Sequence, residues 1–136
     1  MSETAPDPVP LRVLVVDADE RTRQSLAGLL GIGSRCIVVG QAGHAVEALE
    51  LLAAFTPDVV VIDPRLPEID GGRALIGRVR ETSPATRVLV MGWSDAIEQD
   101  CLLNGADAFI RKTFKPRELV DAVIAASRVV DRAALS

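Results

Sequence analysis

Short apolar runs alternate with stretches of helical period from Leu11 onward. The runs are Val13-Leu14-Val15-Val16, Cys36-Ile37-Val38-Val39, Val59-Val60-Val61-Ile62, Val88-Leu89-Val90-Met91 and Ala108-Phe109-Ile110. Each is apolar on successive residues rather than on every second one, which is the pattern of a strand covered on both faces. The stretches between and after them predict helices over about 20–31, 43–54, 70–82, 95–104 and 116–130. In the last, Leu119, Val120, Val123, Ile124, Ser127 and Val130 recur at three- and four-residue spacings, leaving Arg117, Asp121 and Arg128 to face solvent. Gly31 and Asn104-Gly105 stand where the first and fourth helices should stop, and Pro116 stands in the first turn of the fifth. The fourth helix carries the weakest apolar stripe.

Five such repeats predict an α/β fold: a doubly wound, five-stranded parallel sheet with right-handed crossovers and helices on both faces. The 136 residues fit one domain, placed at 11–130. Residues 1–10, with Pro6, Pro8 and Pro10, read as a flexible Pro-rich arm, and 131–136 as a tail or the start of a linker. Ligands of such sheets bind beyond the carboxyl ends of the strands, where the strand order reverses.

Composition narrows the function classes. No apolar run approaches the roughly 18 residues needed to cross a bilayer, so no membrane association is expected. The net charge of −4, with thirteen Arg and two Lys scattered along the chain, offers no basic field to displace counterions from phosphates. Direct nucleic-acid binding by this chain is therefore not expected. Cys36 and Cys101 make neither a disulfide framework nor a C-x-x-C motif, and the first residues lack a signal-like apolar core, which points to a reducing cytoplasm. Both cysteines read as buried small hydrophobes, and His44, the single histidine, lies at the start of the second helix away from the strand ends.

The strand ends carry the chemistry. The first strand runs into Asp17-Ala18-Asp19-Glu20, the third into Asp63-Pro64-Arg65, the fourth into Gly92-Trp93-Ser94 and the fifth into Arg111-Lys112. Carboxylates and a lysine converging on one edge suit a hard, oxygen-seeking cation held beside a phosphoryl group.

The run from Pro57 through Asp63-Pro64-Arg65-Leu66-Pro67 to Gly71-Gly72 resembles the phosphoacceptor segment of response-regulator receiver domains. Val13 to Asp17, Gly105-Ala106-Asp107-Ala108-Phe109 and Lys112 match as well, so the resemblance spans about residues 11–130. Val39-Gly40-Gln41-Ala42 and Lys112-Thr113 are most similar to receivers of the NarL/LuxR-type subfamily. The resemblance implies a CheY-like fold with strand order 2-1-3-4-5 and a place in two-component signal transduction. It implies that Asp63 accepts a phosphoryl group from a sensor histidine kinase or a phosphotransfer protein, with Lys112 as counter-ion to that group. It further implies Mg²⁺ held by Asp17, Asp63 and the backbone carbonyl of Arg65, with the amides of Arg65 and Trp93 aimed at phosphoryl oxygens. A homodimer through the face of the fourth helix, fifth strand and fifth helix is implied too.

Two positions depart from the family pattern. Ala18 stands where a second acid usually follows the first strand, so the metal site is short of an oxygen unless Asp19 supplies it; Asp19 reads first as the cap of the first helix. Gly92 stands where the family places a Thr or Ser that draws the fourth loop inward; Ser94 is either a substitute hydroxyl or an N-cap. Phe109, at the switch-aromatic position, is either a moving ring or a core aromatic. Trp93 is a partner anchor or a lid, and Gly71-Gly72 suggests close backbone approach. Two other functions stay in view: a pseudo-receiver that signals by protein binding without phosphorylation, and, from Asp17-Ala18-Asp19, a haloacid-dehalogenase-type phosphatase.

Overall fold

The computed structural model describes residues 9–68 and 71–130. Most of the predicted arm over 1–10 and the whole predicted tail over 131–136 therefore lie outside the described residues. In chain order the elements are β1 (Leu11–Val16), α1 (Glu20–Leu30), β2 (Cys36–Ala42), α2 (Ala45–Phe55), β3 (Val59–Ile62), α3 (Gly71–Thr82), β4 (Arg87–Gly92), α4 (Glu98–Leu103), β5 (Ala108–Arg111) and α5 (Pro116–Ser127). The strands form one parallel sheet of order β2-β1-β3-β4-β5, the doubly wound arrangement that the alternation and the resemblance imply.

Each central strand is apolar on successive residues because it feeds two cores. Val13 and Val15 of β1, with Val59, Val61, Leu89 and Met91, pack against Leu26 and Leu30 of α1 and Leu119 and Val123 of α5. Their neighbours Leu14 and Val16, with Val60, Ile62, Val88 and Val90, pack against Leu52 of α2, Leu75, Ile76 and Val79 of α3 and Cys101 of α4. Burying a Val or Leu side chain is worth about 1.5–3 kcal/mol, so the two layers hold the strand register against slippage.

Several boundaries differ from the sequence reading by a few residues, and four of the differences have a local cause. β2 runs on to Ala42 because its pairing with β1 resumes after a register shift between Val13 and Leu14, which places Gly40 inside the strand opposite Leu14. The stretch 95–104 divides into a 3₁₀ turn, Asp95–Ile97, and a six-residue α4 that buries only Cys101 and leaves Leu103 78% exposed. α5 stops at Ser127, where the amides of Arg128 and Val129 turn back onto the Ala125 and Ala126 carbonyls, and Val130 is exposed rather than part of the apolar stripe. The second helix begins two residues later than expected because His44 is its N-cap, its Nδ1 accepting from the Glu47 amide at 3.3 Å.

Two glycines carry the geometry that aims the strand ends. A Cβ at Gly72 would run into the backbone of Pro64, so α3 starts in direct contact with the loop that follows β3. Gly105 has φ +111, and a Cβ there would lie 2.8 Å from Cγ of Arg80. Just beyond it, Asp107 accepts from the Val88 amide at 2.7 Å and pairs with Arg80 and Arg87, tying β4 to the entry of β5. Gly72→Ala and Gly105→Ala should each lower the stability in urea by about 1–3 kcal/mol through overpacking or backbone strain. Gly77→Ala, in open space on the same helix as Gly72, should be neutral or stabilising by up to about 1 kcal/mol.

Candidate functional site

β1 and β3 are adjacent and parallel, so the residues that follow them, Asp17 and Asp63, emerge side by side at the carboxyl end of the sheet. β5 brings Lys112 to the same edge, its amide donating to the Gly92 carbonyl at 2.8 Å one residue beyond the strand. The Lys112 side chain is 1% exposed, and its Nζ lies 2.5 Å from Oδ2 of Asp17 and 2.5 Å from Oδ2 of Asp63. An ammonium removed from water to this degree requires paired opposite charge, and the two carboxylates, themselves 3% and 2% exposed, provide it.

Asp63 is the most heavily bonded group of the edge. Its Oδ1 accepts from the Arg65 amide at 2.8 Å and from Arg65 Nε at 3.3 Å, while Oδ2 accepts from Lys112 Nζ and from Arg65 Nη2 at 2.9 Å. This fold-back is an Asx-type turn, in which the carboxylate accepts the amide two residues on, as Asp17 also does from Asp19. Burial pushes the Asp63 carboxyl up, but the hydrogen bonds from the Arg65 guanidinium, Lys112 and the Arg65 amide outweigh it and hold it below the usual carboxylate range. Asp63 is therefore ionised at neutral pH. The Arg65 side chain, read from the sequence only for its backbone, turns out to be half of the counter-charge; the two-residue spacing across a proline was the available signal.

The remaining positions divide between the pocket and local structure. Asp17 Oδ1 accepts from the Asp19 amide at 2.9 Å, and its backbone carbonyl accepts from Arg23 Nη1 at 2.8 Å. The Asp19 side chain turns away, capping α1 by accepting from the Thr22 amide at 2.9 Å; that bond, before others, lowers its pKa. With Asp19 so engaged, the second acid of the phosphatase reading does not face the pocket. Ser94 likewise caps the 3₁₀ turn, its Oγ accepting from the Ala96 amide at 3.1 Å. Trp93 is 48% exposed and places its ring centroid 5.2 Å from Lys112 Nζ, a cation–π contact flanking the pocket, with the Phe114 ring 6.2 Å farther on. At Gly92 the space a side chain would use is bounded by Phe109, whose Cε2 and Cζ lie 3.3 Å from an ideal Cβ, and by Ile97 Cδ1 at 3.0 Å. Phe109 is thus packed inward on the α3–α4 core.

The donor set for a divalent cation falls short. Ala18 has no side-chain oxygen, Asp19 is spent on its cap, and a guanidinium rather than open space lies against Asp63. Among the described residues no three His, Cys, Asp or Glu side chains are grouped to hold a metal ion. As folded, these residues do not fit a hard cation that demands six oxygens.

Comparison with known proteins supplies the family. The family model of the response regulator receiver domain matches residues 13–124. A probable transcriptional regulatory protein, NarL of Mycobacterium tuberculosis, is 36% identical over 121 residues, covering 88% of this chain and 56% of that protein. The DNA-binding transcriptional activator DevR/DosR of the same organism is 37% identical over 118 residues, covering 83% of this chain and 52% of the relative. The chain thus spans about half the length of the curated relatives it matches. Among solved structures, the NarL signal receiver domain of M. tuberculosis superposes with a TM-score of 0.82 at 33% identity, covering 89% of this chain and 98% of that one. The response regulator domain of Thermotoga maritima CheB gives 0.80 at 29%, covering 90% and 99%. With the strand order, the paired aspartates and the buried lysine on one edge, the match over most of the chain means that this protein belongs to the receiver-domain family of two-component response regulators.

Proposed function

We propose that Asp63 is the phosphoacceptor of this receiver and takes its phosphoryl group from the phosphohistidine of a sensor kinase or phosphotransfer protein. The observation that carries the reading is a buried, ionised carboxylate at the end of the central β3 whose Oδ2 is held by an ammonium shared with Asp17. One Asp63 oxygen attacks phosphorus in line; the new O–P bond forms as the donor's P–N bond breaks, and the departing histidine nitrogen keeps the electron pair and takes up a proton. Lys112 then pairs with a phosphoryl oxygen. Both Asp63 oxygens already accept two donors, so Arg65, whose side chain is 64% exposed, swings outward to free the attacking lone pair. Receiver domains in general use Mg²⁺ for this step, and this pocket departs from that requirement at Ala18 and Arg65.

A second reading, signalling by binding without phosphorylation, is favoured at one point. Phe109 already fills the inward position beside Gly92, and Gly92 brings no hydroxyl to a phosphoryl group. The output side fits a contact surface in either case, since Leu102 and Leu103 of α4 are exposed, and this supports a homodimer through α4, β5 and α5. No helix among the described residues is long and apolar enough to cross a membrane.

Intact mass after incubation with acetyl phosphate, with and without Mg²⁺, separates the readings: one added phosphoryl group, absent in Asp63→Asn, is the expected result. An unmodified mass under every condition would transfer the assignment to the binding module. Lys112→Ala should lower the folding free energy in urea by about 3–5 kcal/mol, because it leaves the buried Asp17 without its ammonium and Asp63 with the Arg65 guanidinium alone. Asp63 has a lowered pKa in the folded state, so its ionic stabilisation is complete above its ordinary value of 3.8 and is lost as pH falls through the lower folded value. Acid titration of stability should therefore show the wild-type advantage over Asp63→Asn shrinking below that pH.

A further inference from the structure

We propose that the Arg65 guanidinium is the resident cation of this pocket: it holds the seat on Asp63 that a divalent metal ion needs, so Mg²⁺ binds only by displacing it. The inference rests on the reading of Asp63 as acceptor for its meaning, but its physical content is a competition between two cations for one carboxylate.

Charge bookkeeping makes the first part of the case. Asp17 and Asp63 contribute two negative charges, and Lys112 and Arg65 two positive ones, so the edge is neutral as folded. An acid at position 18 would leave one negative charge, loss of Arg65 would leave one, and both changes together would leave two, the balance that attracts a divalent ion. Ala18 and the Arg65 fork are thus two halves of one adjustment, the first removing a ligand and the second supplying a substitute for what the ligand would have held.

Geometry makes the second part. Arg65 engages both Asp63 oxygens, through Nε to Oδ1 and Nη2 to Oδ2, in the forked fashion for which guanidinium matches carboxylate. The Asx-type turn through Pro64 fixes the Arg65 backbone amide on Oδ1, so the side chain starts from an anchored position. Its stem borders a cavity of about 290 Å³ between the β3–α3 loop, α3 and α4, lined also by Leu66, Ile76, Ile97 and Cys101, which gives the displaced side chain somewhere to go. The 64% exposure of Arg65 means water screens the pair, which keeps the displacement cost small and the competition measurable.

Trp93 is the single tryptophan, and its ring lies 5.2 Å from Lys112 Nζ, so its fluorescence reports a cation entering the cluster. The test is an Mg²⁺ titration at constant ionic strength, by Trp93 emission and by calorimetry, on wild type, Arg65→Met, Ala18→Asp and the double variant, each first shown to melt cooperatively. Arg65→Met should tighten Mg²⁺ binding by about two- to fivefold, the upper part of the range left after solvent screening of an exposed pair. Arg65→Lys, which keeps charge but loses the fork, should gain less, and the double variant should bind tighter than either single one. If Arg65→Met melts early, Arg65→Gln takes its place. Equal Mg²⁺ affinity in wild type and the Arg65 variants, within twofold, overturns the proposal. No phosphodonor is present, so this outcome is independent of the mass measurement that tests Asp63 as acceptor.

Discussion

A lysine ammonium with 1% exposure is the constraint around which this molecule is arranged. Desolvating such a charge costs several kcal/mol unless opposite charge meets it at hydrogen-bond distance, so Lys112 fixes where Asp17 and Asp63 must be. Those carboxylates sit on adjacent strands, and the lysine arrives from the far edge strand across β4. One ion cluster therefore spans the sheet from β1 to β5 and depends on the register of three strand pairings at once. The opposite end of the sheet has its own tie in Asp107, which holds β4, Arg80 and Arg87 together at the entry of β5. Lys112 and Asp107 pin the two ends of the same edge strand, which is half-buried and has only four residues of its own.

The pattern of apolar runs made the doubly wound class legible because the central strands had to satisfy two cores, while the strand order came from the resemblance. Where the reading slipped, the reason was local. β2 continues past its apolar stretch because hydrogen bonding resumes beyond a bulge, which apolarity does not report. Val130 kept the helical spacing of α5 but had no partner surface to reach, so the helix ends before it. At the site, Asp17, Asp63 and Lys112 were legible as charges at strand ends. Asp19 and Ser94 read as caps or as ligands, because a short polar side chain at a helix start serves either way; the cap reading holds for both, and the direction of the oxygen decides it. Arg65 was hidden for a different reason: its role comes from an Asx-type turn, in which the side chain doubles back two residues, and residue type alone does not show that.

The two departures from the family pattern fall on opposite sides of the pocket and act on different things. Ala18 changes what the pocket can bind, while Gly92 changes what the pocket can move. A side chain at position 92 would press on Phe109 and Ile97, each within 3.3 Å of an ideal Cβ, so its absence lets the ring settle inward without any event in the pocket. The ring's place on the α3–α4 core then rests on packing rather than on a bond to a phosphoryl group. A hydrogen bond to a charged acceptor is worth about 1.5–3 kcal/mol, comparable to the gap separating two states of a switch, so without a hydroxyl at position 92 the pocket lacks a link of that size between charge on Asp63 and the place of the ring.

Rigidity is distributed to match. The start of α3 is pressed against Pro64 because Gly72 has no side chain, and the loop behind Asp63 is closed by the Asp63–Arg65 turn. On the Asp63 side of the pocket the backbone is thus tied at two described points, and the exposed group there is the Arg65 guanidinium. The other side, from Gly92 through the 3₁₀ turn to α4, is held by a serine cap, the buried Cys101, Ile97 packed on the core, and exposed ion pairs of Arg73 with Asp100 and Arg111 with Asp95. Exposed ion pairs contribute about 0.2–1 kcal/mol, so little resists a shift of α4. The exposed apolar side chains Leu102 and Leu103 lie on this less firmly held element, whereas the start of α3 is in direct backbone contact with Pro64.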